Sequence, residues 1–441
     1  MASTHRPTLL FPTIAVAVHL LLVLSHPSPA DAQVGEPEIW YDGPTAVQPG
    51  NPGSAAIDVD DLGRSVVVWS TGEIWARRFS YDRQALEDPI LVSSGALTGA
   101  RNLKDPQVAA SPDGDFLVVW TERHETENIW SIHCRHFDAA GQPTGPKQMV
   151  NAEPASLSGG THVPDVAALS GGQFVVVFRS ATFPGSGDTG TSIQGRMVTS
   201  NGAPTGSQFL VNVETSGSQA YPRVDELPAD DPDGPYDGGF VIAWTVPDIH
   251  LRRFTAGGVG EGTDRLVDGN EDGTFIDVAA QQWDDRVAVT WYEGARILAR
   301  VFDGDLDPVA PTVELSALAD SDAFEPEVTD IGRSGFYVAW ETDTGVAGND
   351  DSAHSIQARI VTEDGVPAGG QFQVNTWIMN DQRQPAVGSS VGRFAIAWDS
   401  IGQSDGNPGG SHLLGYLLDY CDLFCDDFES GDVDAWSSSV P

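Results

Sequence analysis

The chain is poor in positive charge. It holds 23 Lys and Arg against 63 Asp and Glu in 441 residues, a formal net charge of −40. Tracking a nucleic-acid backbone needs cationic side chains that neutralise phosphates, and this balance argues against it. An acidic surface keeps a protein soluble and can collect cations. Cysteine is scarce, with three residues in all, so no disulfide framework carries the fold. Common catalytic signatures are missing as well. The strings Gly388–Gly392 and Gly402–Gly406 match G-x-S-x-G, but each lies in a connection between strand-like segments and not at a strand-to-helix elbow; there is no H-E-x-x-H helix and no phosphate-cradling loop. The histidines at 124, 133, 136, 162, 250, 354 and 412 are scattered.

Long apolar runs are limited to one. Residues 9–24 are almost wholly apolar, behind His5 and Arg6 and ahead of a small-residue site, Ala30-Asp-Ala32. This pattern predicts a secretory signal over residues 1–32, cut near Ala32. No later stretch is long and apolar enough to span a bilayer. No cysteine stands at the cleavage site to take a lipid. The expected location is secreted, periplasmic or cell-surface, as a monomer. In an exported chain Cys421 and Cys425 are placed for a small disulfide, and Cys134 reads as a buried free thiol.

What the chain has in abundance is repetition. A short apolar strand ending in an aromatic occurs seven times, at Val66 to Trp69, Phe116 to Trp120, Phe174 to Phe178, Phe240 to Trp244, Val287 to Trp291, Phe336 to Trp340 and Phe394 to Trp398. Each copy sits among four strand-like segments, here A to D, with this strand as B. Segment A carries a β-branched residue: Ile57, Val108, Val166, Val224, Val278, Val328 or Val387. Segment C opens with Ile or Leu and shows an apolar residue five positions later, from Ile74 and Phe79 to Leu413 and Leu418. Segment D follows 13 positions on, at Val92, Val150, Val211, Val267, Leu315 and Val374. Units of about 50 residues with four strands fit propeller blades. The B strands are apolar throughout instead of alternating, as strands buried on both faces must be. The fold predicted is all-β: a seven-bladed β-propeller of four-stranded blades over residues 33–420. The seventh repeat lacks segment D, and Thr45-Ala-Val47 is expected to supply it, so an N-terminal strand closes the ring. Residues 421–441 form a short acidic tail.

Arginine recurs at the fourth position of segment C, at 77, 135, 196, 252, 300 and 359, with Tyr416 in the seventh copy. Strand C lies toward the outside of a blade. The expected role is structural, with each guanidinium bridging acidic or carbonyl oxygens and stacking on Trp.

The connections between B and C vary from 5 residues to 16, whereas those between A and B, and between C and D, are nearly constant. In a four-strand meander the B–C and D–A turns emerge on one face, so variation gathers there, where function commonly sits. The long loops are 121–131, 179–192, 341–355 and 399–412, low over blades four and five. They supply the ligand-binding candidates Glu122, His124, Asp188, His354, Asp399 and His412. Clustered oxygen ligands make Asp350 and Asp351 candidates for Ca²⁺. On the opposite face Asp231, Asp233 and Asp237 alternate like the start of a calcium loop, without its central Gly or closing Glu.

The repeat resembles one from large secreted bacterial proteins: G-x-F-V-V-x-W, I-x-x-R-x-F-D-x-x-G, F-x-V-N and Q-x-x-P-x-V-A. It reads best in Phe336 to Trp340, Ser355 to Arg359, Gly369 to Asn375 and Gln384 to Val387, and covers roughly residues 55–418. Blades one, four and five lack the V-N pair. The resemblance implies a propeller-like fold and export. The tail from Cys421 to Trp436 resembles segments that end exported bacterial proteins and serve in sorting. The leading functional expectation is a non-enzymatic module binding a carbohydrate, a peptide or a surface protein through its variable face. The alternative is a glycan-directed hydrolase or lyase using loop carboxylates.

Overall fold

The structure is a computed structural model that describes residues 39–40, 53–94, 101–124, 129–152, 163–181, 183, 186–187, 189–228, 238–269, 273–282, 285–316, 323–343, 354–376, 380–401 and 411–419. The strands in these residues form seven four-stranded antiparallel sheets. Each sheet runs A–B–C–D in order and the seven stand in a ring, a β-propeller. The A strands are Gly53–Val59, Arg101–Ala110, Pro164–Ala168, Ala220–Leu227, Thr274–Ala280, Ala323–Asp330 and Gln382–Ser390. Each packs on the A strand of the next blade, and the last packs on the first, so together they surround the axis.

The B strands explain why the ring holds. In blade one, Val67 and Trp69 join a core with Ala395, Ala397 and Leu413 of blade seven. The alternate residues, Val66 and Val68, join a core with Val108, Phe116 and Trp120 of blade two. Successive side chains of a strand point to opposite faces, so an uninterrupted apolar run serves two neighbours at once. Trp120, Trp244, Trp291, Trp340 and Trp398 are all fully buried.

The last blade is completed by the N-terminal segment. Ile39–Trp40 pairs antiparallel with the C strand Ser411–Asp419, with Ile39 opposite Gly415 and Trp40 opposite Leu414. The strand is thus Ile39–Trp40 instead of Thr45–Val47, which lie outside the described residues. Trp40 stands opposite Leu414 as Leu91 stands opposite Trp75, and it precedes Ile57 by 17 residues, as Leu91 precedes Val108.

The recurring arginines stitch blade to blade. Arg135, Arg196, Arg252, Arg300 and Arg359 each donate from Nη1 to the carbonyl of the segment D residue of the preceding blade: Val92, Val150, Val211, Val267 and Leu315, at 2.7–3.2 Å. The expected stacking partner was Trp; the ring found is instead the Phe two residues on, at 5.5 Å for Phe79, 5.7 Å for Phe137, 5.2 Å for Phe254 and 5.6 Å for Phe302. The V-N pair has an equally local cause. Asn151, Asn212 and Asn375 accept the N–H of the isoleucine that opens segment C of their own blade, Ile132, Ile193 and Ile356. In blades one and five Ser93 and Ser316 accept the same bond, so the departures from the motif keep its acceptor. Cys134 is a buried free thiol, pushed up to about 12 by burial.

Arg300→Met leaves the buried Val267 carbonyl without its donor and is expected to cost about 1–3 kcal/mol. Arg265→Met removes an exposed pair with Asp307 and a long, exposed bond to the Asp305 carbonyl, and should cost under about 0.5 kcal/mol. Urea unfolding followed by tryptophan fluorescence compares the two; equal losses would refute the seam role of the repeated arginine.

Candidate ligand site on the variable face

The face carrying the B–C and D–A connections is built from the ends of the B strands and the starts of the A strands. Six A strands begin with the same irregularity. Ser54, Asp105, Tyr221, Phe275, Glu325 and Gln384 have positive φ between 47° and 52°, and the A–B pairing slips around each. All stand three residues before the β-branched landmark of segment A. In four of them proline follows, at 106, 222, 326 and 385. A bulge re-aims a side chain and is common beside functional sites. Here it turns these residues along the mouth of the ring toward the next blade. Gln384 Oε1 accepts the N–H of Ser54, for example.

The bulges help assemble a line of aromatic rings over blades four to six, where two of the B–C connections are short. Tyr221 and Phe275 lie with centroids 6.3 Å apart, Phe275 and Tyr292 again 6.3 Å apart, and Tyr292 and Phe324 5.8 Å apart. Phe275 is 40% exposed and the other three are half-buried. At the blade-six end stand carboxylates. Glu341 Oε1 lies 2.7 Å from His354 Nδ1, and its Oε2 accepts the N–H of Gln384 at 3.0 Å. Burial raises Glu341 to about 7, with Glu325 adding to the effect and Arg383 opposing it. Burial also raises Glu325, against the pull of Arg223 and Arg383. Arg383 pairs with Asp381 at 2.7 Å. At the blade-three end, Arg179 donates from Nε to Thr191 Oγ1 at 3.1 Å, and Thr191 in turn donates to the carbonyl of Gln219 at 2.7 Å.

Below the mouth the A strands enclose an axial cavity of about 530 Å³. Its lining includes Asp58, Asp165, Asp225, Asp277, Glu327 and Arg223. Four of these acids tie neighbouring blades together. Asp58 accepts from Ala110 N–H, Asp165 from Val224, Asp225 from Ala280 and Asp277 from Val328, each across a blade boundary at 2.7–2.8 Å. Burial lifts Asp58 and Asp277 to about 7, and Asp225 and Glu327 well above the ordinary range. Burial works against the charge of Arg223, but Glu327, Asp165 and Asp277 outweigh it and hold the group above its usual value.

The residues singled out from sequence are dispersed. His354 reaches the mouth beside Glu341. Glu122 is enclosed, with Lys147 Nζ at 2.5 Å and His133 Nε2 at 3.7 Å. Asp399 and His412 are buried within blade seven. The side chain of His124, and Asp188, Asp231, Asp233, Asp237, Asp350, Asp351, Cys421 and Cys425, lie outside the described residues. Among the described residues no group of three or more His, Cys, Asp or Glu is arranged to hold a metal ion. His133 and His250 stack on the terminal Trp of their own blades, at 5.9 and 5.8 Å. The aromatic line, Arg179, Glu325 and Glu341 were not singled out from sequence. The signals for them were the proline next to the bulge and the residue directly after each B-strand aromatic.

No family model matches the sequence, and no curated protein matches it. Solved structures do match in fold. An ulvan lyase of polysaccharide lyase family PL25, bound to -[GlcA(1-4)Rha3S]-, aligns with a TM-score of 0.50 at 8% identity, covering 87% of this chain and 96% of that one. The NanB sialidase of Streptococcus pneumoniae aligns at 0.47 and 10% identity, over 85% of this chain and 69% of that one. A protein of unknown function from Dyadobacter fermentans aligns at 0.43 and 12% identity, over 72% and 94%.

The channel acids give a pH prediction. A carboxyl whose folded pKa is raised stabilises the fold below its unfolded pKa, near 4, and that stability is lost as pH climbs through the folded value, about 7 for Asp58. Asp58→Asn keeps an oxygen acceptor for Ala110 and removes the titration. It should raise Tm by roughly 2 °C at pH 8 and leave it unchanged at pH 4. Thermal melts at the two pH values check this; a gain at pH 4 alone would contradict it.

Proposed function

We infer that this is an exported propeller that binds a carbohydrate chain across its variable face. The observation that carries the reading is the line Tyr221–Phe275–Tyr292–Phe324, with its one well-exposed ring and three half-buried ones. Rings so placed offer flat apolar faces to the C–H faces of sugars, and the polar groups at either end can meet hydroxyls. A peptide-binding groove would favour deeper apolar pockets for alternate side chains. The apolar leader supports export, and no helix among the described residues is long and apolar enough to cross a membrane. A lyase of similar fold holding a glycan is in keeping with this reading.

A second reading is favoured by the carboxylates at the blade-six end. Glu325 and Glu341 influence each other electrostatically, and Glu341 is raised to about 7 beside a histidine. A carboxyl held protonated near neutral pH can serve as the acid of glycoside hydrolysis, with a second carboxyl as base or nucleophile. On this reading Glu341→Gln still binds the glycan but no longer releases reducing ends from it. Under the binding-only reading the unaltered protein releases none.

Phe275→Ala and Tyr292→Ala should each weaken binding to an immobilised panel of neutral and acidic hexasaccharides by roughly tenfold. Phe275→Ala, at an exposed position, should leave Tm within about 1 °C. Retention of full affinity in both variants, or no binding to any glycan by the unaltered chain, rejects the reading.

A further inference from the structure

The two ends of the aromatic line are the same place in the repeat. Arg179 is the residue directly after the B-strand aromatic of blade three, and Glu341 is that residue in blade six. Each contacts the residue just before its own C strand, Thr191 at 3.1 Å and His354 at 2.7 Å. The carbonyl of that residue accepts the N–H of a glutamine five positions before the next A-strand landmark, Gln219 in one case and Gln382 in the other. One frame therefore presents a guanidinium at one end and a carboxylate with an imidazole at the other.

Arg179 stands outside the structural arginine lattice. The repeated arginines lie in strand C and donate to backbone carbonyls of the preceding blade, whereas Arg179 ends a B strand on the variable face. The matching positions in the other blades hold Ser70, Thr121, Thr245, Tyr292, Glu341 and Asp399, none of them cationic. The hydrogen bonds from Arg179 to Thr191, and from Thr191 to the Gln219 carbonyl, fix the guanidinium close enough to Tyr221 for the two to interact electrostatically. In blade two Lys104 and Arg123 lie 5.1 and 5.3 Å from the Trp130 ring, with Lys104 also paired to Asp105 at 3.2 Å.

We propose that Arg179 is an anion subsite of the glycan cleft, so that the carbohydrate bound is an acidic one, with the carboxylate or sulfate of a sugar seated against this guanidinium at the Tyr221 end. The proposal rests on the glycan reading above. A planar guanidinium meets either oxyanion through paired N–H donors, and such charge-assisted bonds are stronger than neutral ones. The bound chain then has a direction, with its anionic sugar toward blade three and its neutral part over Phe275 and Tyr292 toward Glu341.

The test is isothermal titration of the full chain with four probes: hexagalacturonate, its methyl ester, a sulfated κ-carrageenan hexasaccharide and neutral xylohexaose. The expected result is that at least one charged probe binds about tenfold or more tighter than the ester and the neutral chain, with the advantage shrinking as salt rises. Whether the carboxylate or the sulfate probe wins identifies the group. Arg179→Gln should lower affinity for that probe about ten- to hundredfold and for the neutral chain by less than about threefold. Arg179→Lys should recover only part of the loss, because a point charge lacks the fork. If neither charged probe binds the unaltered protein more tightly than the ester and the neutral chain, the proposal is overturned without using any variant, and an unchanged preference for the winning charged probe in Arg179→Gln overturns it too. Binding of neutral chains alone sinks this subsite and leaves the glycan reading standing, whereas binding of no probe rejects both.

Discussion

Every blade of this protein is apolar on both faces, and that single constraint organises the rest. A strand such as Phe116 to Trp120 cannot be satisfied by one neighbour, because alternate side chains face opposite blades. Each large side chain so covered contributes about 1.5–3 kcal/mol, and a blade left at an open end would forfeit one face of that burial. The array must therefore close on itself. Closure brings seven A strands to one axis and leaves a single seam where the chain ends meet. Ile39–Trp40 lies in that seam as the outer strand of blade seven. The polar lattice follows from the same packing. Where two blades meet, a guanidinium from strand C reaches across on the outer side, and an acid of strand A receives a neighbour's N–H on the inner side.

Much of this could be read in the residues. The B-strand aromatic, the five-residue step within C and the thirteen-residue step to D are fixed by the geometry of one blade, and sequence repeats what geometry fixes. The arginine of strand C and the V-N pair are legible for the same reason. The mouth is harder to read. At the position before the A-strand landmark the seven blades hold Ala56, Gln107, Asp165, Arg223, Asp277, Glu327 and Ala386, three acids, one base, one amide and two alanines, with no one residue repeated throughout. A reading based on sameness passes over the places where blades differ, and those places face the channel and the mouth. The bulge hid more, since a positive φ at Tyr221 or Phe275 turns a residue that strict alternation would place elsewhere. Glu122 shows the opposite error of emphasis. It was assigned to a loop because strand B was taken to end at Trp120, but the strand runs on to His124 and Glu122 is enclosed, bonded to Lys147.

The acids of the axis and the charges of the mouth do different work. Asp58, Asp165, Asp225 and Asp277 are committed to backbone N–H groups of the next blade, and their raised pKa values reflect the burial that this role imposes. Arg223 answers that concentration of acid from within it. At the mouth the ionisable groups are held instead by side chains of the variable face, as in Arg179 with Thr191 and Glu341 with His354.

The net charge of −40 opposes an anionic ligand only at a distance. At physiological salt, charges more than about 8 Å apart across solvent are largely screened, so any ligand at the mouth would respond to the groups that touch it. What matters is therefore the order of groups along the aromatic line, and that order comes from the ring itself. A scaffold of near-identical blades offers the same pair of side-chain positions at every mouth. Filling that pair with Arg and Thr in blade three and with Glu and His in blade six converts a nearly symmetric rim into a cleft with two unlike ends. The short B–C connections of blades four and five leave the span between them open, and the rings of Tyr221, Phe275, Tyr292 and Phe324 occupy it. The polarity of the site thus requires no departure from the fold, only a different residue at two positions that the fold already aims at the same place.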